Sequence, residues 1–322
     1  MSAHDLLQIL PQTLLEGLLA GCVFAMIALG YTMVYGVLGM INFAHSEVFM
    51  VGAVAGVETF RYAGSHVGNP FVLLVLSLVI AGAVSGATAV AMERLAYRPL
   101  RRRGLNNRLV PLITAIGVSF FLQDAVRLVE GLWHNEFYMD YPSQPAMERT
   151  FNISENMTIQ TKAIIVLAVT VAMMTGLQLL VKRTRLGRAI RAVAQDMQTA
   201  SLMGIDPDKI ISRTFLIGGV LGGVAGVLFG LLYTKIDPFV GFVPGIKAFT
   251  AAVLGGIGSL PGAMIGGIVL GEIEMLGGTY SPLLTDGRIG TEYKDIFAFV
   301  ILVLLLLIRP QGLLGKKQGE KV

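Results

Sequence analysis

The chain has 322 residues, of which 54% are hydrophobic and only 14% charged, with a mean hydropathy of +0.70. Soluble domains carry roughly 25% charged residues, so the composition excludes an ordinary soluble domain and points to a polytopic membrane protein. The net charge of +4 is small, and where the charges sit matters more than their sum. The single cysteine, Cys22, excludes an intramolecular disulfide and, alone, a cysteine metal cluster.

The opening MSAHDLLQILPQ holds Asp5 and no Lys or Arg. It lacks the basic start of a cleaved signal peptide and is expected to be retained, as a short interfacial helix before Pro11. Leu14 to Leu38 reads as a first span, with Gly17 and Gly21 one turn apart. It ends at Gly39, and Asn42, His45, Ser46 and Glu47 follow between two apolar runs. A short second span, about Val48 to Phe60, carries Gly52 and Gly56 at the same four-residue step. Pro70 opens a third span that reaches about Met92. The basic run ERLAYRPLRRRGLNNR follows, with Arg94, Arg98, Arg101, Arg102, Arg103 and Arg108. A fourth span covers about Leu109 to Leu128.

Residues 130–161 form the longest polar stretch, with Glu130, Glu136, Asp140, Glu148 and Glu155 against Arg149. A fifth span, Ala163 to Val181, leads into a second basic block at Lys182, Arg183, Arg185, Arg188 and Arg191. The sixth is about Ile210 to Tyr233. Two short spans lie near Gly245–Gly258 and Gly262–Leu276. A last span, Ile296 to Ile308, ends in Arg309-Pro310 and a tail with Lys316, Lys317 and Lys321.

The stretch Ala248–Gly271 is apolar, uncharged and rich in glycine. Gly258, Gly262 and Gly266 recur every fourth residue, as do Gly267 and Gly271, and Gly255 and Gly256 lie just before. On a helix this spacing lets a neighbouring backbone approach closely, so these glycines are expected to serve helix packing. Ser259, Leu260 and Pro261 interrupt the run, which predicts two short helices meeting at a break. A phosphate-cradling loop is excluded, because Gly262 is followed by Ala263 and Met264 rather than Lys and Ser or Thr.

The positive-inside rule places both basic blocks and the tail in the cytoplasm and residues 130–161 outside. Counting back puts the N-terminus outside. Nine spans satisfy every loop, or eight if one short segment is re-entrant. Leu14–Phe60 and Leu216–Gly258 share one plan: glycine-bearing span, short polar break, short glycine-bearing helix. The breaks are Gly39-Met40-Ile41-Asn42-Phe43 and Lys235-Ile236-Asp237-Pro238-Phe239, and the two copies run in opposite directions. Inverted repeats with broken helices are typical of transport proteins. The predicted fold is therefore an all-α polytopic membrane protein of eight or nine helices with broken short helices and an inverted repeat.

Residues 182–209 are the most informative soluble segment. Leu186, Ile190, Val193 and Met197 draw one apolar stripe on a helix. Gly204 suits its end, and Asp206 then caps a new helix with Pro207 at its first position. The helix either lies on the lipid surface or docks into a cytoplasmic partner.

The run GRAIRAVAQDMQTASLMGI resembles the coupling segment of bacterial ABC-transporter permeases of the branched-chain amino acid class. LGYTMVYGVLGMINFAHSEVFMVGA is similar to that family's N-terminal signature, and IDPFVGFVPGIKAFTAAVLGGIGSLPGAMIGGIVLG to its C-terminal one. The resemblance spans nearly the whole chain, and residues 130–161 are its least recognisable part. One departure is Ser46, where the family carries glycine after the histidine. The resemblance implies one transmembrane permease domain over residues 1–322, a cytoplasmic coupling segment at 182–209 and a periplasmic loop at 130–161. It implies an inner-membrane heterodimer with a second permease subunit, two cytoplasmic ATPase subunits and a periplasmic amino-acid-binding protein, the whole surrounded by membrane lipid. Coupling to the ATPase is then expected from Arg185, Gly187, Arg188, Arg191, Ala192, Asp196, Ala200, Gly204 and Ile205. The cargo would be leucine, isoleucine and valine, with urea or short amides as the alternative within the family.

The residues agree with a transport subunit that is not itself an enzyme. The sequence holds no Walker A motif, so ATP would be hydrolysed by another chain, and no HExxH or GxSxG. No cofactor, metal or nucleic-acid partner is expected. Asn42, His45 and Glu47 are candidates for the translocation path, as break or cavity residues. Lys247, Glu272 and Glu274 sit in apolar surroundings and are expected to snorkel to the interface. A stand-alone secondary transporter or channel is the competing class, but it would usually bury ionisable residues for coupling ions, and the clear spans are nearly free of them.

Overall fold

The computed structural model describes residues 3–40, 42–103, 109–142, 144–154, 156–309 and 311–315. Ile41, Arg108, Glu155, Pro310 and the basic tail at Lys316, Lys317 and Lys321, all named above, lie outside the described residues.

Helix α1 runs unbroken over Ala3–Leu38 with Pro11 inside it, so the expected separate helix before Pro11 does not form. Proline costs one rung of the hydrogen-bond ladder, and tertiary contacts hold these turns in place. Tyr280 Oη donates to the Leu6 carbonyl at 2.7 Å, and Thr158 N donates to Gln12 Oε1 at 3.1 Å. After the turn at Gly39, α2 spans His45–Ala63. It begins three residues earlier than expected and takes His45, Ser46 and Glu47 into its first turn. Helix α3 covers Pro70–Met92, with Asn69 Oδ1 capping it by accepting from Phe71 N. A π-helical turn, Glu93–Tyr97, and α4, Arg98–Arg102, carry the helical path through the first basic block. Helix α5 spans Leu109–Trp133 and extends past the expected end, so Glu130 is a buried helical residue rather than loop.

The polar connection is therefore 134–160. It contains β1 (Met139–Asp140) and an antiparallel hairpin of β2 (Thr150–Ser154) and β3 (Met157–Gln160). Helix α6 is Thr161–Arg183, α7 Arg185–Gln195, α8 Met197–Leu202 and α9 Pro207–Tyr233. Strand β4 (Lys235–Ile236) pairs antiparallel with β1. Helices α10 (Phe242–Gly255) and α11 (Leu260–Leu284) meet at the expected break. The second of these is a full-length helix of 25 residues, longer than the short span expected from its sequence. Helix α12, Lys294–Ile308, follows a 3-10 turn at Thr291–Tyr293.

Among the described residues, six helices are long and apolar enough to cross a membrane: 6–38, 70–102, 109–133, 161–183, 207–233 and 260–284. Three shorter helices, α2, α10 and α12, pack among them. The protein is an all-α polytopic membrane protein with broken short helices.

The core is built from two matched triplets. Helix α1 packs most extensively on α11, and α9 on α3. Helix α2 lies on α3 and α9, while α10 lies on α11 and α1. Exchanging α1, α2 and α3 for α9, α10 and α11 reproduces these contacts. The triplets run in opposite senses. The start of α1 and the end of α9 both lie beside the 134–160 stretch, through Gln12–Thr158 and β1–β4.

Glycines set the closeness of these contacts. Gly21 and Gly271 face each other backbone to backbone, and Gly267 faces Ala25. Gly262 and Gly266 point the other way, onto Gly255 and Ala251 of α10. Gly258 is not on a helix: its φ of +85° places it in the break, and Gly256, with φ of +105°, ends α10. The expected single stripe is thus two stripes serving two neighbours. On the other triplet, Gly219 and Gly223 press against Ala81, Ser85 and Gly86. In lipid, where burial of apolar area gives no net drive, such close van der Waals contact is what holds helices together.

Ion pairs close both ends of the bundle. Arg101 and Arg102 pair with Asp208 at 2.5 and 2.9 Å, joining the end of α3 to the start of α9. Leu313 N donates to the Leu254 carbonyl at the same end. The acidic connection occupies the other end, where Glu136 pairs with Arg61 at 2.7 Å.

Candidate functional site

The two breaks approach one another inside the molecule. Gly241 and Gly245, at the start of α10, lie against Ser46, at the start of α2. Beside this contact is a cavity of about 550 Å³ bounded by α1, the first break, α2, α5 and α10. Its apolar wall combines five aromatic side chains, Tyr31, Phe43, Phe120, Phe239 and Phe242, with Ile116, Val243 and Ile246. Ser46, Ser119 and Gln123 supply its polar groups.

Asn42, His45 and Glu47 stand behind that wall, buried within the protomer. Asn42 Oδ1 accepts from Tyr97 Oη at 2.7 Å. His45 lies edge-on to Tyr31, ring centroids 5.0 Å apart, and against Gly30 and Gly222. Glu47 Oε1 accepts from Gln123 at 2.9 Å, Ser119 at 3.0 Å and Ser46 at 3.2 Å, so three donors compensate a buried carboxyl. The groups that reach the cavity are those donors. Gln123 and Ser119 escaped the sequence reading because their spacing on α5 is that of any span. Their alignment with Glu47 exists only after folding.

A second buried polar cluster corrects the snorkelling expectation. Lys247 and Glu274 are 6% and 1% exposed. Lys247 Nζ lies 2.9 Å from Glu274 Oε1 and 2.8 Å from Asp295 Oδ1, and Lys294 Nζ lies 3.1 Å from Glu274 Oε1. Lys247 also sits 5.6 Å from the centre of the Phe24 ring. The four charges balance and tie α10, α11 and α12 together. Glu272 is only part-buried and rests against Gly17 of α1.

The 182–209 segment is two helices, not one. Thr184 caps α7 by accepting from Gly187 N at 3.0 Å, and Asp196 Oδ1 caps α8 by accepting from Gln198 N and Thr199 N. An aspartate with donors two and three residues ahead offers the chain a new helix start, so Met197 leaves the expected stripe and joins α8. Gly187, Ile190, Val193 and Ala200 turn inward, onto the chain's own helices. Arg191 donates to the Val181 carbonyl, locking α7 to α6. Arg185, Arg188 and Asp196 face outward, and Ala192 and Ile205 are half-buried. Gly204 adopts φ of +81° and Asp206 Oδ1 accepts from Lys209 N at 3.2 Å, as the spacing predicts. The Lys209 side chain beside it holds the Asp206 carboxyl below its usual range. The exposed tip is Leu202 and Met203, 88% and 79% exposed, beside a groove of about 330 Å³ lined by Ala192, Thr199, Ala200 and Ile205.

Comparison with known proteins places this geometry. Residues 13–306 match the family described as "Branched-chain amino acid transport system / permease component". The chain is 43% identical over 314 residues to the high-affinity branched-chain amino acid transport system permease protein LivH of Escherichia coli, covering 97% of each. It is 44% identical over 313 residues to BraD of Pseudomonas aeruginosa, a permease protein described in the same words, again covering 97% of each. A more distant relative, from Methanocaldococcus jannaschii, is 27% identical over 94% of this chain and is named a probable branched-chain amino acid transport permease protein. The chain, a bundle of paired helix triplets with an aromatic-lined cavity open at its surface, belongs to the family of branched-chain amino acid transport system permease components.

Proposed function

We propose that this chain is one permease subunit of an ATP-driven importer of leucine, isoleucine and valine. The observation that carries the reading is the cavity between the two breaks. Five aromatic side chains suit an aliphatic cargo, and Ser46, Ser119 and Gln123 place a few polar groups among them. The substrate class follows the names of the relatives above.

The chain works with a second permease subunit, two ATPase subunits that hydrolyse ATP, and a periplasmic binding protein that delivers the amino acid. It lies in the inner membrane, with the basic blocks in the cytoplasm and the start of α1 and the 134–160 connection outside. Segment 182–209 couples it to an ATPase. Within it, Ile190, Val193, Gly187 and Arg191 fix α7 to the bundle, and the tip at Leu202 and Met203 enters the partner. Gly204 and Asp206 set the angle between that tip and α9.

A stand-alone transporter coupled to an ion is the second reading, favoured by the buried Lys247 and Glu274. Both are already neutralised by each other and by Asp295 and Lys294, which suits a strut better than an ion site.

The decisive experiment reconstitutes the chain alone, and the chain with its permease, ATPase and binding-protein partners, in proteoliposomes. Labelled leucine should accumulate only in the complete system, and only with ATP. Accumulation by the chain alone down an ion gradient would overturn the reading. Uptake of urea that leucine, isoleucine and valine fail to compete would move it to the amide branch. Reporter fusions within 136–148 should read outside, and fusions after Arg103 inside.

A further inference from the structure

A groove of about 1020 Å³ runs beside the α3–α9 contact, where the first basic block meets the start of α9. Its lower wall is apolar: Ala87, Val90 and Ala91 from α3, Leu95 from the π turn and Leu216 from α9. Leu95 is 81% exposed. The upper part carries five cations, Arg94, Arg98, Arg102, Lys209 and Arg213, against two carboxylates, Asp206 and Asp208. Three positive charges are left over.

The carboxylates are already engaged. Asp208 takes Arg101 and Arg102 and lies 3.5 Å from Arg98 Nε, while Asp206 takes Lys209 at 3.1 Å. Glu93, behind the groove, accepts from Ser212 at 2.6 Å and Arg101 at 3.1 Å. Arg98 Nε, a buried donor with no acceptor at hydrogen-bond distance, is held in longer ion pairs with Glu93 Oε1 at 3.7 Å and Asp208 Oδ2 at 3.5 Å. Among the described residues, Arg94 and Arg213 have neither an ion pair nor a hydrogen bond. Two unpaired guanidiniums, one from each helix, thus converge on a concave site above an apolar wall.

We propose that this groove binds one anionic phospholipid, its phosphate headgroup held by Arg94, Arg98 and Arg213 and an acyl chain laid along Val90, Leu95 and Leu216. Arginine is the side chain suited to a phosphate, and basic pockets between membrane helices recognise anionic headgroups. The apolar wall lies on the two membrane-crossing helices 70–102 and 207–233, which suits an acyl chain better than a soluble partner. The inference rests on the chain's lying in a membrane and not on the identity of its cargo.

The test embeds the full-length chain, in its complex, in nanodiscs of equal phosphatidylcholine and phosphatidylglycerol. Lipids that remain bound on release are weighed by native mass spectrometry. The wild type should retain phosphatidylglycerol over phosphatidylcholine. In the Arg94→Gln/Arg213→Gln double variant that preference should fall on the order of thirtyfold, from the loss of two arginines near the surface. Both side chains are exposed and unpaired, so the variant should fold, which its yield and elution volume check. The control Lys182→Gln/Arg183→Gln, at the same end of the molecule, should leave the preference unchanged. Equal retention of the two lipids by the wild type overturns the proposal, as does a double variant that retains phosphatidylglycerol like the wild type. A control that loses as much reduces the site to general surface charge. Displacement of the lipid by millimolar inorganic phosphate would make it a free-anion site, and cross-linking of Arg94→Cys to a protein subunit a protein interface. Either result also overturns it.

Discussion

The two helix triplets share one backbone plan and fill it with opposite chemistry. Where α2 begins, the first triplet places His45, Ser46 and Glu47, all buried, with Glu47 accepting from Ser119 and Gln123 and the preceding Asn42 from Tyr97. Where α10 begins, the second places Gly241, Phe242, Val243, Pro244 and Gly245. Polar groups on one side meet room on the other: Ser46 fits only because Gly241 and Gly245 have no side chains. The second triplet keeps its ionic groups one turn further along, at Lys247, paired across to α11 and α12. A duplicated fold need not carry a duplicated site. One copy supplies the polar anchors and the other the space they need.

The sharpest way to break that symmetry is to fill its seams. Gly21→Leu in the first triplet and Gly271→Leu in the second each add four heavy atoms where two backbones touch. Overpacking typically costs about 1–3 kcal/mol and sometimes more, and backbone cannot yield as a side chain does. Both variants should lose most of the assembled protein on size-exclusion chromatography. Gly36→Leu and Gly176→Leu, with nothing within 4 Å, should assemble at wild-type yield. Equal yields from all four would show that close approach is not what holds the triplets.

The ionic cluster comes next in size. Lys247→Met leaves Glu274 with Lys294 alone, and removing one member of a buried pair costs about 3–5 kcal/mol. Lys247→Met/Glu274→Leu should recover much of that in thermal unfolding in detergent. Additive losses would mean the pair is not a unit.

On the polar side, Gln123→Leu withdraws one of three donors from Glu47 and should cost about 1–3 kcal/mol, with uptake falling in step. Ser46→Gly changes the cavity wall and should alter the competition among leucine, isoleucine and valine more than the unfolding temperature. A variant that only shifts the unfolding temperature would place Ser46 in the scaffold.

The smallest stability effect is expected at the tip of α8. Leu202→Asp and Met203→Asp are exposed and should stay within about 0.5 kcal/mol of the wild type, yet lower ATP-dependent uptake. Val193→Asp buries a charge in the protomer itself and should reduce yield instead. Normal uptake from both tip variants would remove the tip from coupling.

What could be read in the sequence was whatever the chain decides locally. Helix α3 begins at Pro70 because Asn69 caps it and proline fits a first turn, and both are visible as letters. Gly204, Asp206 and Pro207 likewise declare one helix end and the next start. The family resemblance, carried by runs near both ends and by the 187–205 segment, pointed to the right class. The rest depends on distant partners. Pro11 stays helical because Thr158 and Tyr280 brace its neighbours. Glu130 reads as loop until the bundle buries it. Lys247 reads as a snorkelling lysine until Glu274 and Asp295 arrive. The Asp196 cap was available locally, but an apolar stripe running across it outweighed it. The inward turn of Val193 could not be separated from a docking face by periodicity alone, since both faces obey the same 3.6-residue repeat.

The seam between α1 and α11 also has a history in time. Gly21 and Gly271 are 250 residues apart in the chain. At about 5–20 residues per second of synthesis, α1 waits on the order of 10–50 s before its main neighbour is made. Helix α1 is buried over 94% of its apolar stretch in the finished protein, so throughout that interval its glycine face is open to whatever surrounds the ribosome's exit into the membrane. Lipid, the insertion machinery or an early α2–α3 hairpin must occupy that groove and then give it up. The contact that most defines the finished molecule is among the last that its biogenesis can make.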